Sequence, residues 1–218
     1  MIDLSTIPAE SSLIDDNLKV QLSAAFEKLT EPVVLKAVTD LSKEKDRELA
    51  AFLKVIAALS PRLSLELYSL EEASQVPELN TSWLPVTGLY KDGQYARASF
   101  HGIPGGKEIN SFVLAVYNLS GPGREVAKGL RKKIDKLDKK TNIKICVSLA
   151  CHYCPEVVAA CQQIAILNPN IEAEMIDAGL YGDLVEKYHI ERIPMMIFND
   201  SKIVMGSKTM EDIVALLK

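Results

Sequence analysis

The stretch of sequence that decides the fold covers residues 143–155 and reads IKICVSLACHYCP. Its first seven residues are mostly apolar and include two isoleucines and a valine, which predicts a strand. Two cysteines separated by two positions follow, Cys151 and Cys154, and residues 156–164 then show the apolar pattern of a helix. Pro155 suits the first turn of that helix, where a missing N–H group costs little. We therefore predict a strand, a Cys-x-x-Cys pair and a helix in direct succession.

This arrangement is typical of a reactive dithiol. The free N–H groups and the positive dipole end of a helix N-terminus favour thiolate over thiol. Cysteines placed there have pKa values lowered from about 8.5 to roughly 3.5–7.5. We predict that Cys151 is the exposed nucleophile and that Cys154, one turn further on, resolves the mixed disulfide. His152, as an imidazolium, would favour the thiolate, although a solvated loop residue without effect is the alternative; Tyr153 is a candidate contact residue for partners.

Composition narrows the range of functions. The chain has 218 residues, 48% of them apolar, so it can form one large domain or two small ones. Its net charge is −4 and it has no long basic run, which argues against nucleic acid as a partner. The first 16 residues hold four acidic side chains and no basic one, which excludes a secretory signal, and no apolar stretch is long enough to span a membrane. We expect a cytoplasmic protein that binds no cofactor itself, since it lacks a nucleotide-binding glycine motif.

The cysteine count leaves one alternative open. A structural zinc site needs four ligands, usually in two close pairs, and the second pair is missing here. The other two cysteines, Cys146 and Cys161, lie in an apolar strand and on a helix face, where cysteine is common as a small hydrophobic residue. We therefore predict no metal site and interpret the Cys-x-x-Cys pair as redox chemistry.

The order of predicted elements repeats along the chain. Each half reads as β-α-β, then a β-hairpin led by a proline, then a helix. The predicted helices cover residues 16–29, 43–59, 107–119, 124–139, 154–167, 182–188 and 209–217. The predicted strands cover residues 33–38, 63–68, 83–90, 95–101, 143–149, 171–176, 193–198 and 202–205. Such a pattern predicts two tandem copies of one α/β unit.

A Gly-Pro-Gly sequence at residues 121–123 is the clearest break between the two copies. We predict a leader over residues 1–15, a first fold over 16–121 and a second fold over 122–218. Leu-Pro85 and Ile-Pro194 open the two hairpins at an offset of 109 residues. An offset of 109 or 110 takes Cys151 to residues 41–42 in the first copy, which contain no cysteine.

These features resemble the thioredoxin family. In that family a strand, a Cys-x-x-Cys pair and a helix are followed about forty residues later by a proline, here Pro194 after Ile193. The resemblance implies that this proline is cis and lies against the active-site disulfide. It also implies that the backbone beside it, at Ile193, meets the incoming substrate.

The tandem arrangement, with a dithiol only in the second copy, is similar to the N-terminal domain of the flavoprotein component of alkyl hydroperoxide reductase. The sequences that carry this resemblance are SLxCHxCP at 148–155, LNP at 167–169, ID at 176–177, and FxGxPxGxE at 100–108 leading into SFVLA at 111–115. In that flavoprotein a long FAD- and NAD-binding region follows. We therefore expect either a part of such a protein or a free-standing relative served by a separate reductase.

The resemblance also implies partners and one more site residue. Electrons would come from a thioredoxin-reductase-like flavoprotein that carries FAD and uses NAD(P)H, and would go to a two-cysteine peroxiredoxin. Glu108 matches a glutamate that the family directs from the first fold toward the dithiol of the second, where a partly buried carboxyl could shuttle a proton. The alternative for Glu108 is simple complementarity with a helix dipole. His101 and His189 are interpreted as structural.

Two other functions stay open. One is a general protein disulfide reductase or isomerase, which would need a more oxidising dithiol and an open apolar surface. The other belongs to a different class: a non-catalytic adaptor whose cysteines bind zinc or only pack.

Overall fold

Eight strands form one continuous mixed sheet in a computed structural model that describes residues 1–218. The strand order is β2-β1-β3-β4-β6-β5-β7-β8. The strands are β1 (Val33–Val38), β2 (Leu63–Tyr68), β3 (Val86–Lys91), β4 (Gln94–His101), β5 (Thr141–Val147), β6 (Ile171–Asp177), β7 (Met195–Phe198) and β8 (Lys202–Met205). The helices are α1 (Asp16–Phe26), α2 (Glu44–Ala58), α3 (Ile109–Ser120), α4 (Lys128–Ile134), α5 (Cys154–Leu167), α6 (Gly182–Tyr188) and α7 (Met210–Leu216).

The two halves of the sheet have the same topology. In the first half, β1 pairs in parallel with β2 and antiparallel with β3, which pairs antiparallel with β4. In the second half, β5 pairs in parallel with β6 and antiparallel with β7, which pairs antiparallel with β8. The predicted fold class, α/β with two tandem thioredoxin-like folds, is confirmed.

The halves meet where β4 runs parallel to β6. This seam is short, because only Ala98–His101 and Ala173–Ile176 are in register. The main hydrophobic core crosses the seam on one face of the sheet and takes apolar residues from both halves. Phe112 of α3 lies in it with ring-centroid distances of 6.2 Å to Phe52 and 5.2 Å to Phe100.

The opposite face of the sheet holds two smaller apolar clusters. One includes Trp83, Tyr181 and Tyr188 and lies over β5, β6 and β7. The other includes Tyr68 and Tyr90 and lies over β1, β2 and β3. The end of β4 lies between them in the strand order, so the seam has less apolar cover on this face. None of the helices has the length and apolar character needed to cross a membrane.

Five of the seven helices are shorter than their patterns predict, α4 by the most. The helix expected over 124–139 covers only Lys128–Ile134. Nδ2 of the buried Asn168 donates to Ile134 O, at the end of this helix, at 2.6 Å and to Leu137 O, beyond it, at 3.0 Å. The helix expected from residue 107 starts as a 3-10 turn, Gly106–Glu108, before α3 begins.

The leader packs on the first half. Ile7 and Ile14 are buried, and Lys54 Nζ of α2 donates to Leu4 O at 2.8 Å. Ile2 N donates to Leu67 O at 2.8 Å and so occupies part of the free edge of β2. An unpaired edge strand is otherwise exposed to pairing with another chain.

Candidate active site: the Cys151–Cys154 disulfide and a carboxyl from the other fold

The two cysteines lie where the motif predicts. Strand β5 ends at Val147, and a tight turn in which Cys151 N donates to Ser148 O at 2.9 Å leads to the motif. Cys154 is the first residue of α5, and the two cysteines form a disulfide with a Cα–Cα distance of 5.6 Å. The free N–H groups of a helix terminus therefore face the dithiol region, as a stabilised thiolate needs.

The two cysteines differ in access to solvent. Cys151 is partly exposed, whereas Cys154 is completely buried. An external disulfide or thiolate can therefore reach only Cys151. This asymmetry is what an attacking cysteine and a resolving cysteine require.

The residues predicted to contact substrate lie around the exposed cysteine. His152 and Tyr153 are exposed, Tyr153 at 69%. Strand β7 is antiparallel to β5, so the residues just before β7 and the cysteines just after β5 lie at the same end of these two strands. Ile193 there is partly exposed and Pro194 is buried. The peptide bond between these two is cis, which confirms the geometry inferred for this proline.

Glu108 comes from the first fold and reaches the second. Lys107 N donates to Leu149 O at 2.9 Å, so the 3-10 turn lies directly on the loop that leads to the first cysteine. Gly106 has φ +54°, and a Cβ atom on it would lie 2.6 Å from Leu149 O. Only glycine allows the backbones to approach this closely. The turn also packs against α5, the helix that begins with the buried Cys154.

The Glu108 carboxyl is completely buried and only partly satisfied. Ser111 Oγ donates to its Oε2 atom, while its Oε1 atom has no hydrogen-bond partner. Burial raises the pKa of Glu108 to about 7; the Ser111 hydrogen bond opposes this rise, and the charge of Asp177 adds to it. A carboxyl in this state can accept or donate a proton near neutral pH.

Asp177 is a neighbour to which the sequence pattern assigned no role. It ends β6, is buried, and its Oδ1 accepts a hydrogen bond from Gly179 N at 3.0 Å. Burial raises its pKa, although the backbone hydrogen bond and Lys45 oppose this. The sequence signal for this residue is an acidic side chain at the end of an apolar strand. That signal alone assigns no role, because only the structure shows that Asp177 lies near Glu108.

The remaining cysteines are away from this chemistry. Both are fully buried, Cys146 on β5 and Cys161 in α5. Burial raises the pKa of Cys146 to about 12 and also raises that of Cys161, which favours the unreactive thiol form. No group of three or more His, Cys, Asp or Glu side chains is placed to hold a metal ion.

Comparisons with known proteins agree with this geometry. A family model described as a thioredoxin domain matches residues 141–218. The crystal structure of the NTD_N/C domain of alkylhydroperoxide reductase AhpF from Enterococcus faecalis superposes with a TM-score of 0.88 at 40% identity, covering 94% of this chain and 100% of that chain. A protein disulfide oxidoreductase from Aeropyrum pernix superposes with a TM-score of 0.83 at 20% identity, over 100% of this chain and 93% of that one, and so shares the fold.

Fold and site together define a protein of the thioredoxin class with a Cys-x-x-Cys disulfide in the second of two fused folds. The AhpF component of alkyl hydroperoxide reductase from Escherichia coli is 32% identical over 203 residues, which cover 93% of this chain and 37% of that protein. The chain belongs to the AhpF family of alkyl hydroperoxide reductase components and corresponds to the N-terminal domain of these proteins. It spans less than two fifths of the length of the curated relatives it matches.

Proposed function

We propose that the chain is a thiol–disulfide electron carrier that passes electrons from a flavoprotein dithiol to the disulfide of a two-cysteine peroxiredoxin. One observation carries the proposal: a disulfide at the N-terminus of α5 joins a partly exposed Cys151 to a buried Cys154. The family supports the proposed direction of electron transfer, since the relatives are named as components of alkyl hydroperoxide reductase.

The transfer takes two substitution steps at sulfur. The Cys151 thiolate attacks one sulfur of the partner disulfide, forms a mixed disulfide, and releases the other partner sulfur as a thiolate, which takes up a proton. The Cys154 thiol then loses its proton and attacks the Cys151 sulfur, which releases the second partner sulfur. Two electrons leave the carrier, its dithiol becomes the observed disulfide, and the partner disulfide becomes a dithiol.

Glu108 is the proposed proton acceptor for the second step. A buried thiol such as Cys154 needs a nearby base, because burial disfavours the thiolate. The Glu108 carboxyl lies in the turn packed against α5 and has a pKa raised by burial to about 7, so it can take that proton and release it later. This gives the first fold, which has no thiol of its own, a function in the chemistry.

The same two steps in reverse restore the dithiol. A thioredoxin-reductase-like flavoprotein segment or partner would hold FAD and take electrons from NAD(P)H, while this chain holds only its disulfide. The chain would act in the cytoplasm, where it can meet a reductase that uses a nicotinamide cofactor. We assign the two folds to residues 16–121 and 122–218, with residues 1–15 as the leader.

The partner would dock over the exposed cysteine. His152 and Tyr153 are exposed beside Cys151, and Ile193 lies at the same end of strands β5 and β7. An aromatic ring exposed at 69% offers a large rigid contact at low entropic cost. We propose that these three residues and Pro194 shape the docking surface.

The test is covalent trapping. Cys154→Ser stops the second step and leaves Cys151 joined to whatever it attacks. The reduced variant would be mixed with the oxidised peroxiredoxin, and separately with a native lysate, and the mixed disulfides would be identified by mass. We expect one dominant adduct with a peroxiredoxin, and the Cys151→Ser, Cys154→Ser double variant is the matched control that forms none.

The alternatives predict other outcomes. Adducts with many unrelated unfolded proteins would favour a general disulfide reductase or isomerase. No adduct from a folded variant whose Cys151 thiol titrates would refute the redox role and support a non-catalytic adaptor.

A further inference from the structure

A buried pair of charged side chains crosses the seam between the two folds. His101 ends β4 in the first fold and Glu174 lies in β6 of the second, and their side chains are 0% and 2% exposed. His101 Nε2 lies 2.8 Å from Glu174 Oε2, and His101 Nδ1 lies 2.8 Å from Trp83 O. The dithiol chemistry described above does not use either residue.

The hydrogen-bond partners favour a charged state of this pair. The carbonyl of Trp83 only accepts, so His101 Nδ1 must carry a proton. The other hydrogen-bond and ion-pair partners of the Glu174 carboxyl are all donors: Asn80 Nδ2 at 3.0 Å, Asn142 Nδ2 at 2.6 Å and Lys144 Nζ at 3.8 Å. These donors stabilise the ionised carboxyl, and we therefore interpret the contact with His101 Nε2 as a buried ion pair.

Further hydrogen bonds surround the pair. Lys144 Nζ also donates to Asp200 Oδ1 at 2.7 Å, and Tyr188 Oη donates to the same oxygen at 2.7 Å.

Burial alone would raise the pKa of Glu174, but the hydrogen bond and charge of His101, with help from Asn142 and Lys144, lower it to about 2. Glu172, the other acid on this side of β6, accepts hydrogen bonds from Tyr95 and Asn142. The cluster thus joins both folds in one satisfied network.

The position of the pair links it to Glu108. The seam has only four residue pairs in register: His101 is the last of them on β4, and Glu174, opposite Ser99, is its diagonal neighbour on the face with less apolar cover. The chain leaves β4 directly after His101, and Gly102 N, held by Pro85 O at 2.9 Å, starts the segment that ends at Glu108. Any shift of β4 against β6 would therefore move the carboxyl relative to the dithiol.

We propose that His101 and Glu174 are positioning residues, whose buried ion pair fixes β4 against β6 and so holds the Glu108 carboxyl in its buried place beside the dithiol of the other fold. The inference rests on the proposed function for its consequence in catalysis, but the placement of Glu108 can be measured without any catalytic assay. Removal of one charge leaves its partner uncompensated in a buried site. The seam then relaxes and water reaches Glu108.

The experiment follows the titration of the Glu108 carboxyl by carbon-13 NMR in the oxidised chain. The wild-type carboxyl should titrate near pH 7, as its burial implies. In Glu174→Gln, which keeps the shape of the side chain, and in His101→Leu, we expect the midpoint to fall by at least one pH unit toward the ordinary range of a glutamate, about 4.3. The matched control is Glu66→Gln, which removes the negative charge that pairs with Lys36 Nζ at 2.9 Å between β1 and β2 of the first fold, away from the seam.

Each outcome decides a separate point. An unchanged Glu108 midpoint in a folded Glu174→Gln or His101→Leu variant refutes the positioning role, and so does an equal shift in Glu66→Gln. Nitrogen-15 NMR should show protons on both ring nitrogens of His101 at pH 7, and a neutral ring would also refute the ion pair. The exchange kinetics of Glu108→Gln test only the proposed proton transfer. If this variant exchanges as fast as wild type, the proton-transfer role is refuted, while the titration result still decides the positioning role.

Discussion

The two folds of this chain are alike in architecture and different in chemistry. Their strand orders match, and each hairpin begins at a cis proline whose carbonyl accepts a glycine N–H: Gly102 N at 2.9 Å from Pro85 O, and Gly206 N at 2.8 Å from Pro194 O. The difference lies where the first long helix of each fold begins. In the second fold that place holds a disulfide, and in the first it holds Leu41 and its neighbours.

In the first fold this loop is closed by its own hydrogen bonds. Asp46 Oδ2 accepts from Asp40 N at 2.7 Å, Asp40 Oδ1 accepts from Ser42 N at 3.1 Å, and Arg47 donates to the carbonyl of Leu41 at 2.9 Å. The fold therefore provides a helix terminus, but the chemistry depends on the side chains placed there. We propose that the first fold contributes through Glu108, near the other end of its chain.

The largest effect is expected from the exposed cysteine. Cys151→Ser should abolish thiol–disulfide exchange, because no other thiol of the chain is accessible. Cys161→Ala, which removes a buried thiol in α5, is the control and should retain exchange. The measurement is the rate of reduction of a model disulfide by the pre-reduced chain; measurable exchange in Cys151→Ser would place the nucleophile elsewhere.

The shared core should make the two folds unfold together. Phe112 is fully buried in the core that both halves form, so Phe112→Ala should cost about 3–5 kcal/mol of unfolding free energy. We expect a single urea transition, shifted to lower concentration. Val20→Ala, at a position 70% exposed, should stay within about 0.5 kcal/mol of wild type. Two separate transitions would show that the halves are independent.

Sequence patterns predicted most of the architecture but not all of the site. Strand–cysteine–helix order and the repeated proline hairpins follow from local periodicity, so the tandem folds and the disulfide could be derived from the chain alone. The neighbours of Glu108 from the second fold could not, because Asp177 and the loop at Leu149 lie far from it in sequence and come near it only through β4–β6 pairing. Glu174 likewise lies far from His101 in sequence, so the sequence alone assigns His101 only a structural role.

The pH dependence of stability should differ between wild type and Glu108→Gln. Burial raises the pKa of Glu108 from 4.5 to about 7, so the folded state binds more protons than the unfolded state between these values. Wild-type stability should therefore fall as the pH rises through this window, by about 3 kcal/mol from this group, and then level off above pH 7. The variant has no such carboxyl and should lack that contribution.

Urea unfolding at pH 4, 6 and 8 measures this difference. We expect the variant to gain on wild type as the pH rises, and the difference between the two proteins cancels contributions from Asp177 and other acids. A constant difference across the range would mean that Glu108 is not kept protonated by burial.

The smallest effect is expected at the docking surface. Tyr153 is exposed and has no intramolecular hydrogen bond, so Tyr153→Ala should leave stability unchanged within about 0.5 kcal/mol. It should slow exchange with a protein disulfide several-fold by raising KM, and leave exchange with a small disulfide unchanged. Equal slowing of both reactions would show that the ring acts on the dithiol and not on the partner.

The proposed function requires that the Cys151–Cys154 pair carry two electrons to a protein disulfide. The most direct test mixes the reduced chain, freed of reductant, with an oxidised two-cysteine peroxiredoxin and counts thiols on both proteins by mass after rapid alkylation. The account predicts that one dithiol is lost from the carrier for each disulfide opened on the peroxiredoxin, at Cys151 and Cys154 only. Retention of both carrier thiols, with the peroxiredoxin still oxidised, would contradict it.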